Sequence, residues 1–357
     1  MQDYAARVPQ GETRYTEAEA VQSCKSAYSQ PPRDPAKNLS ATPKRPTTPA
    51  PSKPPTVAEG GAAAELKTYM DRVVSGEIVN APWPFQMLTT LTQALLPGSV
   101  VNVCGDPGVG KTFLILQCLQ YWHGNGLDPV VFFIEKDRRF HTMRLLAQLE
   151  GDSRFVDFDW IKANGAAVDA AMGRNAAFID EIGKCIYSEP LERVTLESLG
   201  AWIRQVASAG KRIIVIDPVT AASAGDRRWI EDENFMLDAQ RIVSSHGCTL
   251  INVTHPKLGQ AGKSSLSGGA GGAAWSRFCD TYIWINKPKQ PRRVQIMTSM
   301  GPSSGRFGLF FQLHKTRDGR GAGKEIAYTF GQGLKYAEQG LVLRELPESP
   351  EQSQEAS

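Results

Sequence analysis

Cysteine is sparse in this chain of 357 residues. Six are present, and no two stand in a C-x-x-C pair. That scatter excludes a disulfide framework and the usual zinc-ligand spacing. Several of the six (Cys24, Cys104, Cys118, Cys185, Cys248 and Cys279) fall inside apolar runs, where a reduced cysteine acts as a small buried hydrophobe. Long hydrophobic stretches are absent too: nothing approaches the ~18 consecutive apolar residues of a membrane span. The amino terminus lacks the basic-then-apolar pattern of a secretory signal, so a cytoplasmic protein with no membrane partner is expected. Charge of one sign is not in excess. The formal net charge is +3, which neither demands nor excludes a nucleic-acid partner and leaves that question to local basic clusters. Hydrophobic residues make up 41 %, enough for a sizeable core.

Residues 1–60 carry almost no large apolar side chain between positions 31 and 55, where Pro, Lys, Thr and Ser dominate. Such a segment cannot bury enough surface to offset its ordering entropy, and a disordered Pro-rich tail is expected. A short helix is expected over 17–25. Over 61–80 a linker helix is expected, with Leu66, Met70, Val73 and Val74 on one face at helical spacing. The main domain is assigned to 81–346, followed by an acidic, frayed tail over 347–357.

From residue 99 the chain alternates unbroken apolar runs with helical patterns. Strands are expected over 99–104, 129–134, 212–216, 249–254 and 281–285, and helices over 111–121, 140–149, 197–209 and 235–245. That alternation predicts an α/β fold with a mostly parallel sheet and helices on both faces. The runs at 294–298, 308–313 and 325–330, separated by glycine-rich turns, predict antiparallel strands at the carboxyl end.

The chemistry starts at Gly105-Asp106-Pro107-Gly108-Val109-Gly110-Lys111-Thr112, a complete G-x-x-x-x-G-K-[ST] between an apolar strand and a helix. Glycines let backbone N–H groups turn inward around phosphate oxygens, and the helix start adds its positive dipole end. Lys111 is expected on the β- and γ-phosphates of ATP and Thr112 on Mg²⁺, with Phe113 closing the nucleotide-binding segment. Asp217, at the end of the run Ile213-Ile214-Val215-Ile216, is the candidate second metal partner, the alternative being a helix cap. Glu135, after Phe132-Phe133-Ile134, is the preferred base or water-orienting group, and Asp137 is its rival. The Glu135 strand is expected beside the P-loop strand. His255, after the strand over 249–254, is a candidate γ-phosphate sensor or a structural histidine.

Taken in order, these motifs resemble the RecA-fold ATPases of the DnaB and RepA replicative helicase type. The resemblance covers roughly residues 80–335. It rests on Trp83-Pro84-Phe85, Leu96-Pro97-Gly98, the P-loop, Phe132-Phe133-Ile134-Glu135 with Arg144-Leu145, Ile216-Asp217-Pro218 with Asp232-Glu233-Asn234, and Thr254-His255-Pro256-Lys257. Lys315-Thr316-Arg317-Asp318-Gly319-Arg320-Gly321-Ala322-Gly323 resembles the K-x-R-x-G-x-x-G element of that group. There the Lys and Arg reach the γ-phosphate of a neighbouring subunit, which implies a RecA-like core and a ring or filament, a homo-hexamer foremost. Read alone, Lys315 and Arg317 would be a solvated basic hairpin. A second segment, Gly301-Pro302-Ser303-Ser304-Gly305, mimics the finger but lacks its Lys and Arg. His255 stands where the DnaB branch has glutamine, which fits the RepA-like branch.

By the same resemblance two loops face a ring centre. One spans 220–230 with Arg227, Arg228 and Trp229; the other spans 257–274 with Lys257 and Lys263. Basic groups in glycine-rich loops suit a phosphate backbone held without sequence preference, and Trp229 is a candidate for base stacking. The implied function is an ATP-dependent helicase or translocase on single-stranded DNA in replication or recombination. The alternative is a KaiC-like or mediator ATPase that switches protein binding. Residues 26–33 resemble the tail of primase modules, which makes a primase a candidate replication partner.

Overall fold

The computed structural model describes residues 61–188, 194–222, 228–257, 264–266, 268–270 and 273–347. The tail over 1–60, the helix expected over 17–25, Arg227, Lys263 and the acidic tail from 348 lie outside the described residues. The chain divides into two units at Thr68. The first contributes to the described residues only the opening of helix α1 (Ala62–Val74), along which no residue is buried.

The second unit is built on one sheet with the strand order β3-β2-β4-β5-β1-β6-β9-β10-β11-β7-β8. Here β1 is Val100–Gly105, β2 Pro129–Phe133, β3 Ile186–Tyr187, β4 Ile213–Asp217, β5 Thr249–Thr254 and β6 Thr281–Asn286. These six pair in parallel, and β1, β2, β4 and β5 are buried along their whole length. Unbroken apolar strands demand cover on both faces. One face is packed by α2 (Gln86–Thr92), α3 (Lys111–Gly124), α4 (Arg138–Glu150) and α6 (Gly165–Gly183). The other is packed by α7 (Leu196–Ser208), α8 (Arg228–His246) and α9 (Ala273–Phe278). A short helix, α5 (Phe158–Ala163), leads into α6.

Beyond β6 the sheet turns antiparallel through β9 (Phe310–Thr316), β10 (Lys324–Phe330), β11 (Tyr336–Glu345), β7 (Arg292–Thr298) and β8 (Gly301–Phe307). The Gly301-to-Gly305 segment is thus not a turn but the edge strand β8, where Pro302 sits opposite Met297. An edge strand tolerates proline because one row of its N–H groups has no ladder partner to lose.

One expectation fails. The strand that carries Glu135 does not neighbour the P-loop strand: β4 and β5 lie between β2 and β1. Both flanks of β1 are taken, by β5 and β6. This order sets Glu135, Asp217, His255 and the P-loop in a row along the carboxyl ends of β2, β4, β5 and β1. In parallel α/β sheets ligands bind at that end. Among the described residues no helix is long and apolar enough to cross a membrane.

Candidate functional site

Strand β1 ends at Gly105 and the chain turns through 106–110 into α3. Gly108 and Gly110 hold φ of 78° and 95°, which side-chain-bearing residues rarely adopt. A Cβ on Gly110 would lie 2.6 Å from the Tyr336 hydroxyl, which itself donates to Val109 O at 2.6 Å. Gln117 of α3 exchanges two hydrogen bonds with the Tyr336 backbone. Strand β11 therefore braces both the loop and the helix that follows it.

Lys111 is buried, and its ammonium donates to Gly105 O at 2.6 Å and Asp106 O at 3.0 Å. Burial lowers its pKa against the pull of Asp217. The ammonium also lies 3.2 Å from His255 Nδ1. A lysine ammonium has no acceptor, so Nδ1 must accept and the neutral ring carries its proton on Nε2. Burial and Lys111 push His255 down to about 4, which keeps it neutral near pH 7. Its Nε2 lies 3.9 Å from Glu135 Oε1. Lys111, His255 and Glu135 thus form a line across the cleft. Asp137 is engaged elsewhere: it caps α4, accepting from Phe140 N at 2.9 Å.

Asp217 closes β4, buried, and accepts from the Thr112 hydroxyl at 2.9 Å. Burial pushes it up to about 6, against the Thr112 hydrogen bond and Lys111. A carboxyl this undercompensated is costly unless a cation sits nearby. Two hard oxygens side by side, with a lysine and glycine-turned amides beyond them, fit a magnesium-bound triphosphate. Among the described residues no cluster of three metal-ligating side chains stands ready. Mg²⁺ commonly takes few protein ligands and keeps phosphate oxygens and waters instead.

The cleft holding these groups has a volume of about 290 Å³. Two side chains that belong to no candidate set in the sequence also line it. His141 stacks on Phe133 at 3.6 Å, with burial pushing its pKa down to about 4. The Arg144 guanidinium lies 3.4 Å from the Phe140 ring centre. On the other side of Gly108, Gly110 and Phe113 lies a second cavity of about 390 Å³, lined by Lys287, Arg306, Phe307 and Phe330. Phe330 is 40 % exposed and belongs to an antiparallel strand, so no local sequence signal ties it to the P-loop.

Lys315 and Arg317 sit elsewhere. Lys315 pairs with Tyr282, and its ammonium caps α9 through Ser276 O and Arg277 O, both at 3.0 Å. Arg317 holds Asp280 at 3.1 Å, and Asp280 accepts from Val100 N at the start of β1. Glycines then let the hairpin press on α2, since a Cβ on Gly319 or Gly321 would collide with the Leu91 carbonyl. The pair thus marks the amino ends of β1 and β6. The P-loop lies at the opposite end, roughly 17 Å away at about 3.3 Å per residue along β1. An arginine side chain cannot span that distance within one subunit.

Of the loop residues, Lys257 is exposed and Trp229 is 66 % exposed. Arg228 turns back on its own chain, donating to Thr220 O at 3.2 Å. The second loop closes at its root: Lys257 N donates to Gly268 O and Ala270 N to His255 O, each at 2.7 Å. Gly269 packs so close to the Tyr282 hydroxyl that no side chain would fit there.

Against known proteins, a family model described as an AAA domain matches residues 73–261. No curated protein matches the chain. Among solved structures, one described as a phosphohydrolase-type ATPase domain is similar with a TM-score of 0.60 at 18 % identity, covering 79 % of this chain and 99 % of that domain. A DnaB-like replicative helicase, solved in a study of its interactions with primase, is similar with a TM-score of 0.55 at 17 % identity, over 77 % of this chain and 66 % of that one. The chain belongs to the AAA domain family, as a P-loop ATPase with the RecA-type fold of DnaB-type replicative helicases.

Proposed function

We propose that the protein hydrolyses Mg-ATP between subunits of a homo-oligomer, a hexameric ring foremost, and uses the cycle to move along single-stranded DNA in replication or recombination. The observation that carries this reading is the hydrogen bond from Ala270 N to His255 O. It ties the glycine-rich second loop, with Lys257 at its base, to the histidine beside Lys111.

In this reading Lys111 and the amides of 105–112 hold the phosphates. Thr112 and Asp217 hold Mg²⁺ through hydroxyl, carboxylate and water, and the ion supplies neutralisation of developing charge on the phosphates. Glu135 orients the attacking water and takes its proton. His255 Nε2–H lies on the γ side of the cleft, between Lys111 and Glu135, where it can donate to a phosphate oxygen and report its departure to the loop. The cavity beside Phe330 takes the base and ribose. Arg317 and Lys315, barred by distance from their own P-loop, serve the neighbour's γ-phosphate, as arginine fingers do. Trp229 stacks on a base and Lys257 contacts the backbone, with Arg227 and Lys263 as further basic contacts. A primase is a candidate partner; the DnaB-like neighbour was solved in that context.

A mixing experiment tests the shared site. Glu135→Gln and Arg317→Ala should each be inactive alone. Mixed subunits should regain hydrolysis, because some interfaces then pair an intact Glu135 with an intact Arg317. Absence of any recovery in co-assembled oligomers would refute a finger supplied in trans.

A further inference from the structure

Both loops return to the fold through helices that meet. The first returns into α8, which begins at Arg228; the second returns into α9, which begins at Ala273. Asp232, on the second turn of α8, and Trp275, near the start of α9, are among the most buried side chains of this face, 1 % and 2 % exposed. Phe235, one turn further along α8, packs on the Trp275 ring at 5.6 Å. An acid so close to a helix start would ordinarily face solvent, where the dipole already favours it. This one faces the core instead.

Its surroundings are specific. The Arg228 Nε lies 4.0 Å from Asp232 Oδ2, and the same guanidinium donates to Thr220 O on the outgoing leg of the first loop. The Trp275 indole approaches the carboxyl closely enough to favour its charge, although neither carboxylate oxygen completes a hydrogen bond of good geometry. Trp275 is held in turn through its backbone, whose carbonyl accepts from the Asn102 side chain of β1, the P-loop strand. Contacts therefore run from Thr220 through Arg228, Asp232 and Trp275 to β1, joining both loops and the P-loop strand within one packed layer. A buried polar chain of this kind is costly unless its members stay together, which makes it suited to hold two elements in one relation.

We propose that Asp232 is a positioning residue whose carboxyl, set between Arg228 and Trp275, locks the return legs of the two loops together so that they move as one unit. This deepens the reading of the loops as the DNA-contacting elements. It also gives Arg228 a brace's part rather than a phosphate contact.

The test needs neither nucleotide nor DNA, so its failure is separable from failure of that reading. Trypsin can cut the full-length protein at Arg227 in the first loop and at Lys263 in the second. Asp232→Leu keeps size but removes the acceptor. It should raise the nicking rate at both sites together, each by roughly three- to tenfold, the worth of one buried hydrogen-bonding partner in local opening. Asp232→Asn keeps an acceptor oxygen and should return both rates to the wild-type level, a rescue that a merely space-filling role would not show. Trp275→Phe, which keeps the ring but removes the indole N–H, should reproduce the paired increase. Acceleration at Arg227 alone, or at neither site in a Leu variant that remains folded by circular dichroism, would overturn the proposal.

Discussion

Replacing Asp217 by asparagine should make the nucleotide-free protein more stable while it disables the enzyme. Burial raises this carboxyl from 3.8 to about 6, so the folded chain disfavours its ionised form. The sign follows from linkage. The fold keeps its full stability from this group below about pH 4 and loses it as pH rises through about 6. Above that window the loss is about 3 kcal/mol. The figure already contains the Lys111 attraction and the Thr112 hydrogen bond, since both act on the ionised group. Asparagine is neutral, of the same size, and can still accept from Thr112. Thermal unfolding at pH 7.5 without nucleotide should therefore occur about 6–12 °C higher in Asp217→Asn than in the native protein. The gap should shrink to about half by pH 5, where much of the native carboxyl is protonated. Added Mg²⁺ and ATP should reverse the order, because ligand binding stabilises only the form that binds it. A variant that melts at or below the native temperature at pH 7.5, or a gap independent of pH, would refute the reasoning.

Glu135→Gln should lower hydrolysis by about 10²–10⁴-fold. Nucleotide binding, followed by a fluorescent analogue, should survive in that variant. Gly110→Ala forces a side chain into φ 95° and against the Tyr336 hydroxyl, and should cost about 1–3 kcal/mol in urea unfolding. Adding Tyr336→Phe should restore only part of that, because the backbone strain remains. Trp229→Ala should weaken single-stranded DNA binding by about 1–3 kcal/mol, measured by anisotropy, and leave hydrolysis without DNA unchanged.

The parallel half of the fold is legible because its strands are continuous apolar runs. The expected strand over 249–254 coincides with Thr249–Thr254, and the P-loop helix begins at Lys111 as its motif requires. The stretch between α4 and α7 carries no pattern that the sequence makes plain. Helix α6 is rich in alanine, so it has helix propensity without a strong apolar stripe to mark it. Helix α8 starts at Arg228 rather than near Phe235, because its first turns are charged and its buried face there is carried by Asp232. Strand order is a tertiary choice, which is why the place of the Glu135 strand differs from expectation. The P-loop, Asp217, His255 and Glu135 can be singled out one by one. Their line across the cleft, the brace from Tyr336 and the inward turn of Arg228 depend on contacts between residues far apart in the chain.

Steady-state ATP hydrolysis, titrated with single-stranded DNA at moderate salt for the intact chain and for Arg317→Ala, goes most directly to the central claim. An oligomeric DNA motor predicts stimulation by DNA in the native protein and its loss in the variant. Hydrolysis indifferent to DNA would contradict the motor and favour an ATPase that switches protein binding.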